Sequence, residues 1–357
     1  MAYLVEGKRY ILLFFTHILF AFRVIDQCFS LHFEVFTLCL MNMNYAIIGD
    51  VHGMLEPLER LLTKLGFTYQ QGVYQHNAYK AVFLGDLVDR GKHQRGVLEL
   101  VRKMVDAGHA YAVMGNHEHN TVGYYWRHPK TNKYLVPHKA FRNKMHAAVL
   151  NDYPEKGEDT QEIMAWMSRL PVYLELDGFR AVHACWHDVS VDALQPFLNE
   201  QNQFHSEAFI ESFDCSTPVY QPLSRLIRGA TMKVPGIVDD FGNVHKNVRV
   251  QWWRNEYQSW DELLTRESDV RQARGMPLPE GYLDDLYYAE DSPPVFFGHY
   301  WFNGNPGHLT SNLACMDYSA CVGGQLVAYD WRVAEEPASK GLRQDRFVSV
   351  DSHSFRD

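Results

Sequence analysis

Asp50 and His52 are two residues apart, between Gly49 and Gly53. An extended backbone at this point would direct both side chains the same way. A carboxylate and an imidazole that point together form half of a typical transition-metal site. The alternative for this motif alone is an aspartate that caps a helix, next to a surface histidine.

A second acidic motif lies at Gly85–Gly91, where Asp86 and Asp89 precede Arg90. The glycine at each end allows the backbone to approach a bound group closely. A carboxylate such as Asp86 can bridge two cations, whereas a neutral ligand does so less well. A salt-bridged turn is the alternative interpretation of this motif.

The third motif is Asn116-His117-Glu118, which offers an amide oxygen as a ligand and an imidazole beside it. Glu118 is expected to form only a structural salt bridge. Each of the three motifs is modestly specific by itself. Three in this order, each following a predicted strand, are much more specific.

The elements that position the motifs follow from short apolar runs, which predict strands at residues 45–48, 81–84 and 111–114. Leucine and valine at three- and four-residue spacing predict helices at 55–65 and 97–105. The result is a β-α-β-α-β order with one motif after each strand. Ligand sites in such folds lie at the carboxyl ends of the strands.

Further apolar runs predict strands in the second half of the chain, at residues 172–176, 179–183, 295–297, 313–317 and 325–330. The last two are expected to pair as a hairpin. A stretch rich in Trp, Tyr, Arg and Pro at about residues 200–290 is interpreted as an insertion beside the site. Its part from Glu267 to Glu290 is expected to be irregular.

The three motifs, together with residues 182–184 around His183 and 297–299 around His299, resemble the signature of the calcineurin-like metallophosphoesterases. The resemblance runs from about residue 45 to residue 330. It is strongest to the phosphoprotein phosphatase branch, which includes serine/threonine phosphatases and bacterial diadenosine tetraphosphatases. It implies an α/β fold, a four-layer α-β-β-α sandwich with mixed sheets.

The resemblance also implies a site for two divalent metal ions. The matching ligands are Asp50 and His52 for the first metal, Asp86 for both, and Asn116, His183 and His299 for the second. Many relatives outside this branch have a further histidine where this chain has Trp301, so the first metal would keep more water. Nitrogen and oxygen donors suit Mn, Fe or Zn, and Mn is favoured here.

In the expected mechanism, a hydroxide held by the two metals attacks phosphorus in line. His117 would protonate the leaving oxygen as general acid, and Asp89 would orient His117. Arg90 would bind phosphate oxygens through its planar guanidinium, together with Asn116. Arg228 is expected to be a second substrate-binding arginine.

The predicted function is phosphate-ester hydrolysis, with a phosphoserine or phosphothreonine protein as the favoured substrate. A dinucleoside polyphosphate such as diadenosine tetraphosphate is the alternative, and a non-catalytic binding module is less favoured. The complete ligand set argues against such a module, because degeneration removes ligands. Several other histidines are expected to be surface or packing residues outside the site: His76, His93, His128, His138 and His146.

The composition restricts the partners. A net charge of -9 over 357 residues lacks the basic surface that a nucleic-acid duplex requires, so the expected partner is a phosphorylated protein or nucleotide. The six cysteines form no C-x-x-C pair and are widely spaced, which predicts reduced thiols in a cytoplasmic protein.

The catalytic domain is expected to cover residues 43–335, followed by a tail at 336–357. Residues 1–42 are expected to be an N-terminal extension, and the favoured explanation is that translation starts at Met41 or Met43. The apolar runs in the extension are shorter than the roughly 20 residues of a membrane span and are interrupted by His17 and Arg23. A membrane anchor is therefore the less favoured alternative.

Overall fold

The computed structural model describes residues 43–234, 236–238, 247–254, 256–278, 286–336 and 341–352. The expectations for residues 1–42 lie outside these ranges. None of the helices in the described part of the chain combines the length and the apolar character that crossing a bilayer requires.

The strands, in chain order, are β1 Asn44–Ile48, β2 Thr68–Gln70, β3 Val73–Gln75, β4 Tyr79–Phe83, β5 Ala110–Ala112, β6 Tyr173–Leu176, β7 Phe179–Val182, β8 Thr231–Met232, β9 Val248–Arg249, β10 Val295–Phe297, β11 Leu313–Cys315, β12 Asp317–Tyr318, β13 Gln325–Trp331 and β14 Phe347–Asp351. The α-helices are α1 Leu55–Lys64, α2 Gln94–Asp106, α3 Asn116–Tyr125, α4 Ala140–Met145, α5 Ala147–Asp152, α6 Thr160–Ser168, α7 Asp188–Leu194, α8 Ser206–Glu211, α9 Tyr220–Arg228, α10 Trp260–Leu263 and α11 Glu267–Ala273.

Two mixed sheets form the centre of the fold. The first has the order β12-β13-β1-β4-β5, with β14 paired to β13, and the second has the order β11-β10-β7-β6. In the first sheet β1, β4 and β5 are parallel, and their registers align Ile48, Phe83 and Ala112. In the second sheet β7, β10 and β11 are parallel. The carboxyl ends of the parallel strands in each sheet therefore lie at one edge of that sheet.

Alternate residues of the first sheet face two different buried clusters. On one face the ring of Tyr45 lies 5.3 Å from that of Phe179, which lies 5.7 Å from that of Phe296, both in the second sheet. On the other face Ile48 packs in a cluster with Leu58 of α1. Burial on both faces explains why β1 is a continuous apolar run.

The outer face of the second sheet is covered by α9 and by Trp252. The ring of Trp252 lies 4.8 Å from that of Phe297, and its indole N–H donates to the carbonyl of Ala184 at 2.9 Å. Helices therefore flank two sheets that pack face to face, which confirms the predicted four-layer α/β sandwich.

The prediction of a single strand at residues 313–317 is wrong, because these residues belong to two strands. The segment is divided between β11 of the second sheet and β12 of the first. The chain crosses at Met316, whose N–H donates to the carbonyl of Phe297 and whose side chain lies between the sheets. The predicted hairpin is therefore only the pairing of β12 with β13.

Two other expectations require correction. The supposed tail at 336–357 contains β14, which pairs with β13 over five residue pairs and so belongs to the first sheet. The stretch expected to be irregular begins with the helix α11, whose Ala273 is buried in the core. Both elements are too short for a hydrophobic period to be recognised in the sequence: one is an edge strand, and the other is a helix of two turns.

Candidate active site

The predicted ligands lie where the strands of the two sheets end. Asp50 follows β1, Asp86 follows β4 and Asn116 follows β5, each after a glycine. His183 directly follows β7, and His299 follows β10. Strand direction and register therefore assemble in one place residues that lie far apart in the sequence.

The backbone at this place is unusual. Several non-glycine residues with positive φ belong to the predicted site or its neighbours: His52 (47°), Asp86 (48°), Asp89 (67°), Arg90 (70°), His299 (76°) and Trp301 (57°). Residues with side chains rarely adopt this conformation, which costs of order 1–3 kcal/mol each and persists only where surrounding structure imposes it. The surrounding fold therefore offsets the free-energy cost of a backbone that directs these side chains into the site.

Two of the histidines are oriented by backbone carbonyls. The Nδ1 of His52 lies 2.8 Å from the carbonyl oxygen of Val88, and the Nδ1 of His183 lies 2.7 Å from that of Leu84. These carbonyls require Nδ1–H in each ring, so Nε2 carries a free lone pair that faces the site. This is the arrangement of a metal-binding imidazole held by a hydrogen bond from its other nitrogen.

Asp86 is shared by two groups of potential ligands. One contains His52, Asp86 and His117, and the other contains Asp86, His183 and His299. The Oδ2 of Asp86 lies 3.6 Å from His52 Nε2, and its Oδ1 lies 3.3 Å from His183 Nε2. One carboxylate with an oxygen directed into each group has the geometry of a bridging ligand.

The two remaining predicted ligands complete these groups. The Asn116 amide lies 3.1 Å from His183 Nε2 and 2.7 Å from His299 Nδ1. The Oδ2 of Asp50 lies 4.0 Å from His52 Nε2, and Asp50 accepts the backbone N–H of His299. The structure thus brings together all six residues that the sequence predicts as ligands.

The donor set fits divalent metal ions. The Nε2 of His52 is buried and has no hydrogen-bond partner within the described ranges, although it faces two carboxylates. Adjacent ligands of one metal, each about 2.0–2.2 Å from it, are separated by about 3 Å. The spacing of the Asn116 amide from His183 Nε2 and of His183 Nε2 from the Asp86 carboxylate is close to this value.

The charges favour the same conclusion. Burial raises the pKa of Asp50 well above its ordinary value, and the carboxylates of Asp317 and Asp86 raise it further. Burial acts in the same direction on Asp86, but the imidazoles of His183 and His117 outweigh it and hold the pKa of Asp86 well below its ordinary value. A cation in this cluster would favour the ionised form of both ligands.

His117 belongs by distance to the first ligand group, yet its contacts indicate another role. Its Nδ1 lies 2.5 Å from Asp89 Oδ2, while its Nε2 lies 3.8 Å from Asp86 Oδ2 and 3.5 Å from a terminal nitrogen of Arg90. Burial opposes protonation, but Asp86 and Asp89 outweigh it and raise the pKa of His117. This imidazole is therefore poised to carry a proton.

Arg90 lies beside His117, against a flat aromatic surface. Its guanidinium carbon lies 4.2 Å from the centre of the Trp301 ring, a distance suited to a cation–π contact. Trp301 thus packs against the arginine that is predicted to bind phosphate. The backbone N–H of Trp301 donates to Asp317 Oδ2 at 2.8 Å, which fixes the loop after His299.

Arg228 is half-buried, and its hydrogen bonds are to residues on the helix that carries Asn116. One of its terminal nitrogens contacts His119 Nδ1 at 3.1 Å and donates to Asn120 Oδ1 at 3.0 Å. Both partners are on α3, the helix that begins with Asn116 and His117. The structure places Arg228 next to the site but not in contact with the ligand cluster.

Glu118 has a role that the sequence analysis missed. Instead of a salt bridge, its buried carboxylate accepts backbone N–H groups of Asp86 at 2.8 Å, Leu87 at 2.7 Å and Gly115 at 2.9 Å. It therefore joins the loops after β4 and β5. An acidic residue in the first turn of a helix was the available signal.

His146 was also misjudged as a residue outside the site. It is fully buried, and its Nδ1 lies 3.0 Å from Asp89 Oδ1, so Asp89 is held between two imidazoles. Thr121 Oγ1 lies 3.3 Å from the same nitrogen. Nothing in the spacing of His146, 57 residues after Asp89, could indicate this contact.

Replacing His146 with Ala should lower kcat by roughly 10-fold, because Asp89 loses one of the groups that fix its orientation towards His117. His146→Asn should lose less, since an amide can still donate to Asp89. Steady-state kinetics and metal analysis of both variants would check this. A wild-type kcat in His146→Ala would show that Asp89 needs no second partner.

Comparison with known proteins assigns this geometry to a family. The family model described as calcineurin-like phosphoesterase matches residues 43–300, well over half of the chain. The chain belongs to the calcineurin-like phosphoesterases. The resemblance noted in its motifs is therefore confirmed.

Two curated relatives match over a shorter segment of the chain. The asymmetrical bis(5'-nucleosyl)-tetraphosphatase PrpE of Oceanobacillus iheyensis is 50% identical over 76 residues, 21% of this chain and 30% of PrpE. The PrpE of Halalkalibacterium halodurans is 47% identical over 76 residues, 21% of this chain and 31% of PrpE. The chain thus spans less than a third of the length of these relatives.

A solved phosphatase structure shows a more remote similarity. The serine/threonine phosphatase from Saccharomyces cerevisiae with similarity to human PP5 has a TM-score of 0.41 and 12% identity, covering 88% of this chain and 81% of that one. Similarity at this level carries no information on the substrate of the phosphoesterase described here.

Proposed function

We propose that the chain hydrolyses dinucleoside polyphosphates with two divalent metal ions held by Asp50, His52, Asp86, Asn116, His183 and His299. The observation that carries the reaction type is that Asp86 belongs to both ligand groups. The similarity to PrpE supports the substrate class. The proposal therefore prefers the second of the two substrates predicted from the sequence.

The residues around the ligands have separate tasks. The metals, when bound, supply an activated water and stabilise negative charge on the phosphate. Arg90 binds the non-bridging oxygens of the phosphate under attack, and Trp301 holds its guanidinium in place. Asn116 contributes a further polar contact to the same phosphate.

His117 completes the reaction at the leaving group. As the bond from phosphorus to the bridging oxygen breaks, the proton on Nε2 of His117 passes to that oxygen. Asp89 holds the opposite nitrogen of the ring at 2.5 Å and stabilises its charged form before transfer. The products are a nucleoside monophosphate and the remaining nucleoside polyphosphate if attack is at an end phosphorus.

The donors also bear on the metal and on the location. Imidazole nitrogens with carboxylate and amide oxygens suit Mn, Fe or Zn, and we propose Mn as the metal to test first. The free cysteines of the described part, of which Cys185, Cys315 and Cys321 are buried, suit a reducing compartment. We propose the cytoplasm on this ground.

Metal removal tests the reaction type. Protein treated with a chelator should lose activity on p-nitrophenyl phosphate, and Mn²⁺ should restore it, because the ligand cluster has no other source of activated water. The same reconstituted protein is then assayed with diadenosine tetraphosphate and with a phosphothreonine peptide. Faster hydrolysis of the peptide would reject the proposed substrate, and activity that survives complete metal removal would reject the reaction type.

A further inference from the structure

A cavity beside the candidate active site contains two arginines. It has a volume of about 320 Å³ and lies between α3, α4 and α9. Its lining includes His119, Asn120, Phe141, Arg142 and Arg228. Only Arg228 of these residues entered the expected site, and Arg142 was assigned no role.

The cavity begins close to the proposed general acid. His119 and Asn120 line it, and they lie on the same helix as Asn116 and His117. Four residues along an α-helix correspond to about 6 Å, so Asn120 in the cavity wall is roughly one helical turn from Asn116 of the ligand cluster. A short polyphosphate chain covers such a distance.

Within the described residues, neither guanidinium group is paired directly with a carboxylate. Arg228 forms hydrogen bonds only to neutral groups among the described residues. In the same part of the chain, neither Arg142 nor Arg228 forms a salt bridge with an acidic side chain. The Nε of Arg142 is buried and has no hydrogen-bond partner within those ranges. Removing a charge from water without a partner is costly, so the arrangement implies an anionic ligand.

The two arginines also act on each other. Burial lowers the pKa of Arg142 and of Arg228, and the positive charge of Arg142 lowers that of Arg228 further, while Tyr220 and Asp86 act on Arg228 in the opposite direction. A carboxylate would satisfy one guanidinium. A phosphate offers several acceptor oxygens and more than one negative charge, and can therefore satisfy both. The exposed ring of Phe141, with 62% of its surface accessible, adds an apolar surface at the same cavity.

We propose that Arg142 and Arg228 bind a phosphate of the leaving group, so that the enzyme prefers substrates whose leaving group is itself a nucleoside polyphosphate. This inference rests on the proposed hydrolase function and specifies how it selects its substrate. The cavity would hold the part of the chain that departs after cleavage, while Arg90 holds the phosphate under attack.

The test compares two substrates that differ in their leaving groups. Arg142→Gln should lower kcat/KM for diadenosine tetraphosphate roughly 10- to 100-fold more than for p-nitrophenyl phosphate, whose leaving group carries no phosphate. Arg142→Lys, which keeps the charge but loses the planar fork, should lie between wild type and Arg142→Gln. The exposed Arg127, mutated to Gln, is the matched control and should show no such difference.

A second measurement does not depend on cleavage of the dinucleotide. ATP should inhibit hydrolysis of p-nitrophenyl phosphate at fixed free Mn²⁺, and its inhibition constant should rise roughly 10-fold or more in Arg142→Gln. Equal losses on both substrates together with unchanged inhibition would overturn the phosphate site while leaving the hydrolase function intact. Absence of metal-dependent activity in the wild type would instead reject the function itself.

Discussion

Replacing His117 with Asn should lower kcat by roughly 10²–10⁴-fold while the protein keeps its full metal content. The imidazole is held by Asp89 at 2.5 Å and does not need to bind a metal to act. Asparagine fills similar space and can accept or donate a hydrogen bond, but it cannot deliver a proton to the leaving oxygen. Turnover and metal content measured on the same preparation would check this.

The choice of substrate makes this experiment specific to proton transfer. The loss in His117→Asn should be larger for phenyl phosphate than for p-nitrophenyl phosphate, because the more basic leaving oxygen depends more on protonation. His205→Asn is a suitable control, since His205 is an exposed histidine before α8. Equal losses on the two esters would count against proton transfer by His117, and a fall in bound metal would identify it as a ligand.

Replacing Asp86 with Asn should affect both metals at once. Its two oxygens lie 3.3 Å from His183 Nε2 and 3.6 Å from His52 Nε2, one in each ligand group. A neutral amide cannot bridge two cations in the same way. We expect kcat to fall by more than about 100-fold, since mutation of a residue that only orients a metal ligand already lowers metal affinity or activity by about 10- to 100-fold.

Binding provides an independent measure of the same change. Added Mn²⁺ should raise the Tm of the wild type by mass action but have little effect on Asp86→Asn. Asp106→Asn, at the exposed end of α2, serves as the control and should behave as the wild type. A full complement of metal in Asp86→Asn would show that Asp86 is not needed to bridge two metals.

The parts of the site that follow strands could be predicted from the sequence. Asp50, Asp86 and Asn116 each come after a short apolar run and a glycine, so local pattern and chain order were sufficient. The sheets then bring His183 and His299 to the same place, which the family resemblance anticipated and local pattern could not.

The parts that failed depend on contacts between distant segments. His146 reaches Asp89 through the packing of the short helices α4 and α5, a relation that no spacing in the sequence encodes. The division of 313–317 between two sheets depends on where Met316 is buried, not on its own propensity. The edge strand β14 is defined by its pairing with β13, and its own residues are only partly buried.

The positive-φ residues at the site bear on protein design. The motif at Gly85–Gly91 contains three non-glycine residues in the left-handed conformation, each of which a free chain would avoid. A peptide with this sequence would relax to ordinary backbone angles and scatter its side chains. Transplanting the motif into another scaffold would therefore require Glu118, which joins the loops after β4 and β5, and both neighbouring strands. The unit that can be grafted is a folded substructure.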